Sequence, residues 1–409
     1  MKHLRLFKPK GEKGANKKNR QLKQLKYIVR HLSKSEDALS IPEIAEHVKI
    51  SVPTGTKLVK ELVEEGLVIE EGKKVTENGR KPAVYTIDKS KFYAVGVEVL
   101  SKWIHVSIVR IDLETVHEVA HRQFILEDTE ECLNYIIGLI QGTIVDSPAS
   151  IDNIIGVGIG LTGSVNGHTG KSADYFTNME RSLKKHMEDA LGLPVMIDND
   201  TRVIGTAEQV LGVAKGVENV LVIKVSRDLG LSIIIERHLI FGANGFAGNF
   251  GHIQYGTKGR LCTCGKKNCL RTEVSGNALF QDLKEALEAG EESIYFKLEE
   301  IESYSYHDIL DAVLKGDALS IKLLMDQGDK LGQAIGSVIN LLNPNMVVLG
   351  GEIVMVKEFI LDAVKAGMRK TGLVSSLKAC KLEASGLGRY FSSRGAACMV
   401  LKNYELINY

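Results

Sequence analysis

Four residues whose side chains bind metals lie close together in the sequence, namely His252, Cys262, Cys264 and Cys269. They are spaced His-x9-Cys-x-Cys-x4-Cys within a glycine-rich stretch. One imidazole and three thiolates suit Zn²⁺ and complete a tetrahedral site that leaves no open position for catalysis. The spacing therefore predicts a structural zinc loop over residues 252–269, against the alternative that cysteines cluster there by chance.

Basic side chains at the N-terminus are a second chemical feature. Lysines and arginines recur from Lys2 to Lys26, where Glu12 is the one acid. Since the formal net charge of the chain is only +1, affinity for nucleic acid must come from such local asymmetry. The stretch is typical of a phosphate-binding segment, and the alternative is a solvated tail.

Three short helices are predicted around and after this stretch. The first is amphipathic and ends near Ser33, because apolar residues recur at helical spacing: Leu22, Leu25, Ile28, Val29 and Leu32. The second starts at Ser40, where Glu43 completes a capping box. The third follows the cap Ser51 and stops at Gly66, with an inner face of Leu58, Val59, Leu62 and Val63.

A β-hairpin is predicted after the helices, since Leu67–Ile69 and Val84–Ile87 have strand composition and flank a polar stretch. Together these elements predict a winged helix-turn-helix over residues 1–90, whose second paired helix lies in the major groove while the wing contacts phosphates. The predicted DNA-binding residues are Ser51, Thr54, Gly55, Thr56, Lys57 and Lys60 on the third helix, Arg80 and Lys81 in the wing, and the preceding Lys18 and Arg20. The alternative is a dimerisation module.

The rest of the chain alternates strand-like and helical segments, which predicts an α/β body. The strand-like runs are 94–99, 104–111, 154–161, 195–197, 220–225, 231–235 and 346–349. The helical stretches are 130–145, 179–191, 277–289, 306–315 and 318–342. A chain of 409 residues is too long for one ordinary core, so we expect two or three compact units.

The compartment follows from what the sequence lacks. No apolar run is long enough to span a bilayer, and the N-terminus has no apolar signal-peptide core. The cysteines outside the metal cluster, Cys132, Cys380 and Cys398, are scattered singly, unlike a secreted disulfide framework. We therefore expect a cytoplasmic protein with no membrane partner.

Two regions of the chain, one near the N-terminus and one around the metal cluster, resemble the ROK family of sugar kinases and repressors. Residues 50–57 and 77–82 are similar to the recognition helix and the wing of ROK repressors. Residues 241–252, with Cys262-Thr263-Cys264-Gly265 and Cys269-Leu270, resemble the ROK signature and its zinc loop. With the winged helix in front, the resemblance covers essentially the whole chain.

The resemblance implies a two-lobed, actin-like sugar-kinase body of the ribonuclease H type behind the winged helix. Lobe 1 is expected over residues 91–210 with a C-terminal helix at 392–409, and lobe 2 over 211–391 with the zinc loop. It also implies a sugar site in the cleft between the lobes. There Asn199 and Asp200 match the family's Asn-Asp pair, in which the aspartate acts as a base in the kinases. The alternative is that Asn199 and Asp200 simply form a turn. His252 serves both the metal and the sugar wall in the family.

Two positions of the sugar site depart from the family pattern. Asn249 and Arg271 stand where the family has glutamates that accept hydrogen bonds from the sugar, and Glu273 is a candidate substitute. Loss of two carboxylates and gain of a guanidinium predict an anionic effector, such as an acidic sugar or a sugar phosphate. In the alternative, Arg271 turns outward or pairs with Glu273, and the site takes a neutral sugar or none.

Both glycine-rich phosphate turns of the ROK kinases are missing. Where the family has Asp-x-Gly-Gly-Thr and Gly-Thr-Gly, this chain has residues 98–102, which include Leu100, and Ser226-Arg227-Asp228. Only glycine lets backbone N–H groups close on an anion at such range, so Leu100 blocks phosphate and Asp228 repels it. Gly350-Gly351 still resembles the turn on the adenosine side. We therefore expect no kinase activity.

These features predict a sugar-responsive DNA-binding transcriptional regulator, in the first place a repressor of carbohydrate-utilisation genes. Its partners would be a palindromic operator, a sugar, and further copies of the chain in a homodimer or homotetramer, since one recognition helix covers few base pairs. Two alternatives stay open. One is a ROK sugar kinase with an accessory DNA-binding domain, and the other is an assembly or sensor protein whose winged helix contacts another protein.

Overall fold

The computed structural model describes residues 16–73, 82–121, 123–177, 179, 181–388 and 391–407, with side chains from Arg20 onward. The chain divides into two compact units, Met1–Asp200 with Ser392–Tyr409, and Thr201–Phe391. The domain limits at residues 90 and 210 stay predictions. Among the helices of these described ranges, none has the length and apolarity needed to cross a membrane.

The first unit opens with a winged helix-turn-helix. Its elements are α1 (Asn16–Leu32), β1 (Leu39–Ser40), α2 (Ile41–Val48), α3 (Val52–Glu64), β2 (Val68–Lys73) and β3 (Ala83–Ile87), with strand order β1-β3-β2. The predicted capping box is present, because the N–H of Ser40 donates to Glu43 Oε2 at 2.7 Å. Ser51 caps α3, and Gly66 takes a left-handed φ of 68° just past it. The predicted helices and hairpin are therefore confirmed.

Two predictions about α3 are wrong. Val63, predicted to face inward, is 37% exposed. Gly55, predicted to face DNA, is buried, and a Cβ there would lie 3.2 Å from Ala45 Cβ of α2. The missing side chain lets α2 and α3 approach closely, so Gly55 has a packing role and presents nothing to a base.

A five-stranded sheet carries the rest of the first unit. Its strands are β4 (Tyr93–Leu100), β5 (Trp103–Arg110), β6 (Thr115–His121), β7 (Ile154–Leu161) and, after the small hairpin of β8 (Val165–Asn166) and β9 (Lys171–Ser172), β10 (Val195–Asn199). The order is β10-β7-β4-β5-β6, with β10, β7 and β4 parallel. α4 (Glu130–Val145) and α5 (Leu183–Leu191) pack apolar residues on it. The helix predicted from residue 179 starts only at Leu183, because Ser182 caps it there.

The second unit is built on another five-stranded sheet. In chain order its elements are α6 (Asp200–Val210), β11 (Val220–Val225), β12 (Leu229–Ile235), β13 (His238–Leu239), α7 (Gly276–Glu288), α8 (Tyr306–Leu314), α9 (Ala318–Leu342), β14 (Met346–Gly350), α10 (Lys357–Thr371), α11 (Val374–Ala379) and β15 (Lys381–Ala384). The strand order is β13-β12-β11-β14-β15, and α7 to α10 contribute to one apolar core. The predicted strands of the body are all present to within two residues, and the α/β class is confirmed.

The last helix, α12 (Phe391–Asn403), packs directly on the sheet of the first unit. A Cβ on Gly96 of β4 would clash with the carbonyl of Ser393, and one on Gly158 of β7 with that of Ala396. Glycine at both positions therefore lets helix backbone lie against strand backbone. Beyond α12, Glu405 accepts a hydrogen bond at 3.0 Å from the buried Lys26 of α1.

Candidate functional site

The four predicted metal ligands come together in the second unit. His252 ends a short 3₁₀ turn, Cys262 and Cys264 lie on a loop, and Cys269 precedes a second 3₁₀ turn. Their ligand atoms all lie within 4.8 Å of one another, with Sγ of Cys262 3.6 Å from Nδ1 of His252 and the sulfurs of Cys264 and Cys269 also 3.6 Å apart. Ligands around a tetrahedral zinc ion are roughly 3.5–3.8 Å apart, from bond lengths of about 2.0 and 2.3 Å. The donor set fits a metal ion.

Local backbone bonds shape the loop that carries two of these cysteines. The N–H of Cys262 donates to the carbonyl of Lys266 at 2.8 Å, and the N–H of Gly265 donates back to the carbonyl of Cys262 at 2.9 Å. Gly265 has a φ of 83°, which only glycine adopts without strain. This tight turn brings Cys262 and Cys264 to the same side of the loop.

Ion pairs attach the metal loop to α7 independently of any metal. Arg260 donates to Asp282 Oδ1 and to Glu285 Oε2, both at 2.5 Å, and to the carbonyl of Thr272 at 3.1 Å. Lys258 pairs with the same oxygen of Asp282 at 2.6 Å. The sequence analysis missed this network, because its partners lie on separate segments and belong to no motif.

The thiols of the cluster differ in acidity. Burial, together with the neighbouring sulfurs of Cys264 and Cys262, raises the pKa of Cys269 to about 12. A backbone hydrogen bond at Lys266 lowers the pKa of the exposed Cys264. Without a cation the buried thiol therefore keeps its proton near neutral pH, and metal binding must displace it. Metal affinity should accordingly fall as the pH falls.

Asn199 and Asp200 lie in the first unit, at the end of β10 and the start of α6. Asn199 Nδ2 donates to the carbonyl of Gly163 at 2.8 Å and to Asp200 Oδ1 at 2.9 Å. Gly163 follows β7 and has a φ of 92°. Asn199 therefore joins the loop after β7 to the carboxylate beside it.

Arg271 does not have the surroundings predicted for it. Its guanidinium forms an ion pair with Asp228 and donates to Thr263 Oγ1 of the metal loop at 3.1 Å. The hypothesis that Arg271 holds an anionic sugar therefore loses its basis, because a carboxylate of the chain already neutralises the guanidinium. The pairing of Arg271 with Glu273 was wrong as well. Asn249 is exposed at the start of the turn that leads to His252.

Only one of the two carboxylate oxygens of Glu273 is paired, because Oε1 is buried with no hydrogen-bond partner among the described residues. Glu273 is 2% exposed, and its Oε2 accepts from Lys330 of α9 at 2.8 Å. Its Oε1 packs against Gly256, where a Cβ would lie only 2.7 Å away. The carboxylate thus joins the metal loop to α9.

The two segments that we expect in place of the phosphate turns are tight hairpin turns. Ser101 and Lys102 join Leu100 of β4 directly to β5. Between β11 and β12 the N–H of Ser226 donates to the carbonyl of Asp228 at 3.0 Å.

The chain itself also occupies the other groups of Ser226. Its carbonyl accepts from the N–H of Gly276 at 2.7 Å, and its hydroxyl accepts from the N–H of Glu352, just after Gly351, at 3.3 Å. These bonds therefore attach the turn to the start of α7 and to the segment after β14.

The predicted DNA-binding residues on α3 are partly exposed. Lys57 and Lys60 lie on its outer face, and Thr54 and Thr56 are half-buried beside them. Ser51 is exposed but serves as the cap of α3.

Outside α3, Arg20 is exposed on α1. The side chain of Lys18 and the wing residues Arg80 and Lys81 lie outside the described residues. Buried Lys26, at the end of the basic stretch, binds Glu405 and is not a phosphate contact.

A further residue that the sequence analysis missed is Arg202 of α6. It is buried, donates to the carbonyl of Ala247 at 3.4 Å, and lies 5.7 Å from the ring centre of Phe241. It thereby holds the glycine-rich segment before the metal loop. A single arginine in a helical pattern gives no sequence signal for such a role.

Comparisons with known proteins agree with this architecture. The sequence profile of the ROK family matches residues 94–403. The xylose repressor of Caldicellulosiruptor bescii is 26% identical over 385 residues, which cover 93% of this chain and 96% of that protein. The transcriptional dual regulator NagC of Escherichia coli is 26% identical over 328 residues, covering 79% of each chain.

Solved structures share the fold. A ROK family transcriptional regulator, described as a homologue of the Escherichia coli MLC protein, superimposes with a TM-score of 0.79 and 24% identity over 95% of this chain and 98% of its own. A ROK family glucokinase from Streptomyces griseus, solved with glucose and AMPPNP, superimposes with a TM-score of 0.63 and 23% identity, covering 75% of this chain and 98% of its own. Nearly all of the glucokinase thus matches only three quarters of this chain.

The pairing of Arg271 with Asp228 predicts the charge preference of the ligand site. We expect calorimetry on the wild type to show no preference for an anionic sugar over its matched neutral sugar. Asp228→Asn should shift the preference toward the anion, because it leaves the guanidinium without its carboxylate partner. The double variant Asp228→Asn/Arg271→Met is the control and should lose that shift. An unchanged preference in Asp228→Asn would contradict the assignment.

Proposed function

The chain belongs to the ROK family, and on that premise we propose that it is a sugar-responsive transcriptional repressor that binds operator DNA through its winged helix-turn-helix. The observation that carries the proposal is the presence, in one chain, of this DNA-binding fold and a ROK body over residues 94–403. The xylose repressor matches 93% of the chain and so extends well beyond the body, whereas the glucokinase has no segment left to match the winged helix. This favours regulation of transcription over the assembly or sensor alternative.

A sugar is the proposed effector, since the relatives named as repressors are xylose and N-acetylglucosamine repressors. In the first unit we assign Asn199 and Asp200 to its hydroxyl groups, because Asp200 is held by Asn199 at 2.9 Å. In the second unit we assign Asn249 and His252. Arg271 is left out of the ligand set because it pairs with Asp228, whereas Glu273 stays a candidate because its buried Oε1 has no hydrogen-bond partner within the part of the chain that the structure describes.

We further propose that the protein does not transfer phosphate. Backbone donors that would cradle phosphates must point into an open turn, and here the N–H of Ser226 is bonded to Asp228. Asp228 lies at the same turn, where its carboxylate is paired with the guanidinium of Arg271. The alternative of a sugar kinase with an accessory DNA-binding domain requires both turns to open.

The metal is proposed to be Zn²⁺ with a structural role. Three thiolates and one imidazole favour zinc over harder cations, and four protein ligands leave no position for a substrate. When bound, the ion would supply a rigid crosslink between the segments of His252, Cys262, Cys264 and Cys269. The ion would thus hold Asn249 and Arg271, which flank these ligands in sequence, in fixed positions.

Two copies of the chain are proposed to bind one operator. A single recognition helix reads only a few base pairs, so a specific site requires two, and a two-fold protein requires a palindromic site. We assign Lys57 and Lys60 of α3 to the groove and Arg20 of α1, together with Lys18, Arg80 and Lys81, to phosphates.

A prediction about zinc follows. Protein prepared without chelators should contain about one zinc per chain by elemental analysis. Cys264→Ser should lose the metal and the response to sugar, because one of the four ligands is gone. Its DNA binding should persist, because α3 belongs to the other unit. Cys380→Ser, which changes a cysteine outside the cluster, is the matched control and should keep both properties. Wild-type protein without zinc would refute this assignment.

A prediction about DNA follows from the exposed cations. A duplex selected by the protein from a random pool serves as the probe in fluorescence anisotropy at several salt concentrations. Arg20→Ala should weaken binding to every duplex and reduce the salt slope by about 1, because one phosphate contact is lost. Lys57→Ala should reduce the preference for the selected duplex over random ones.

Lys365→Ala, an exposed lysine on α10 of the second unit, is the matched control for charge and should change neither quantity. A salt slope that Arg20→Ala leaves unaltered would show that α1 does not contact the backbone of the duplex.

A further inference from the structure

The two helices of the helix-turn-helix begin with similar sequences, but the apolar residue after the cap packs on a neighbouring helix only in α2. α2 starts with Ser40-Ile41-Pro42 and α3 with Ser51-Val52-Pro53, and in both the serine is the cap. Ile41 packs on α3, since its Cγ2 lies 3.5 Å from the place a Cβ on Gly55 would take. Val52 has no such neighbour to cover it and is 47% exposed. The first turn of α3 therefore presents an uncovered β-branched apolar side chain.

The polar groups of this turn are engaged within the helix. The hydroxyl of Ser51 accepts from the N–H of Thr54 at 3.4 Å and lies 2.8 Å from Thr54 Oγ1. Thr56 Oγ1 donates to the carbonyl of Val52 at 2.9 Å. Pro53 is exposed and has no N–H to donate. The exposed side chains at the start of α3 are Ser51, Val52 and Pro53, of which Val52 and Pro53 are apolar.

We propose that Val52 is a specificity-determining residue that contacts the C5 methyl group of a thymine in the operator. The proposal rests on the proposed function, in which α3 is the recognition helix, because the N-terminal residues of that helix meet the base edges. In the major groove the thymine methyl is the one apolar group among donors and acceptors. Contact with that methyl group gives an apolar side chain a favourable binding free energy. Contact with a polar base edge is unfavourable, because the edge loses water without gaining a hydrogen bond.

Methyl groups can be removed from either side of the proposed contact, one from the DNA and two from the protein. On the DNA, replacing thymine by deoxyuridine deletes the C5 methyl and leaves base pairing unchanged. On the protein, Val52→Ala truncates an exposed side chain, so the fold should be retained, which circular dichroism and thermal melting verify. Val63→Ala is the matched control, because Val63 is also exposed on α3 but lies eleven residues, roughly 16 Å, further along the helix.

The test uses full-length protein and a duplex that it selects from a random pool, with each thymine replaced in turn by deoxyuridine. We expect one position in each half-site where the replacement weakens wild-type and Val63→Ala binding about fourfold, the effect of one buried methyl. Val52→Ala should bind the duplex with thymine at that position and the duplex with deoxyuridine there equally well. If every replacement weakens DNA binding by Val52→Ala as much as binding by the wild type, the proposal about Val52 is overturned and the proposed function is not. Failure to select any duplex would overturn both it and the proposed function.

Discussion

The clustering of one imidazole and three cysteine side chains is the constraint on which the loop between His252 and Cys269 depends. The chain between His252 and Cys269 contains few apolar residues, so it cannot form a core of its own. The proposed zinc ion would fix it through the four clustered side chains, and the ion pairs of Arg260 with Asp282 and Glu285 attach it to α7. Asn249 and Arg271 flank this segment in sequence, so their positions depend on it.

The ion pair of Arg271 with Asp228 gives the two departures from the kinase pattern a common physical reason. Arginine stands where the family has a sugar-binding glutamate, and aspartate stands where it has a phosphate-binding glycine. Each change alone would leave an unpaired charge beside a ligand site. Together they neutralise each other and join the metal loop to the turn between β11 and β12. The pairing supports the proposal that this body recognises a sugar without transferring phosphate.

Local sequence signals predicted much of the fold and the metal site. These signals act over a few residues, and the structure confirms each of them: the caps Ser40 and Ser51, the stop at Gly66 and the clustering of the cysteines. Interactions between distant segments could not be predicted in this way. The partner of Arg271 lies 43 residues away and that of Glu273 lies 57 residues away, at Lys330. Gly55 was misassigned because its burial depends on how closely α2 approaches, which helical periodicity does not specify.

The most direct test of the central claim is to measure how a sugar changes DNA affinity with and without ATP. Full-length protein bound to a labelled duplex that it has selected is titrated with a panel of neutral sugars, and phosphate transfer to the sugar is followed in the same samples. The account predicts that at least one sugar releases the duplex to the same extent whether or not Mg²⁺-ATP is present, without phosphorylated product. Release that requires ATP, or turnover of ATP above background, would contradict it.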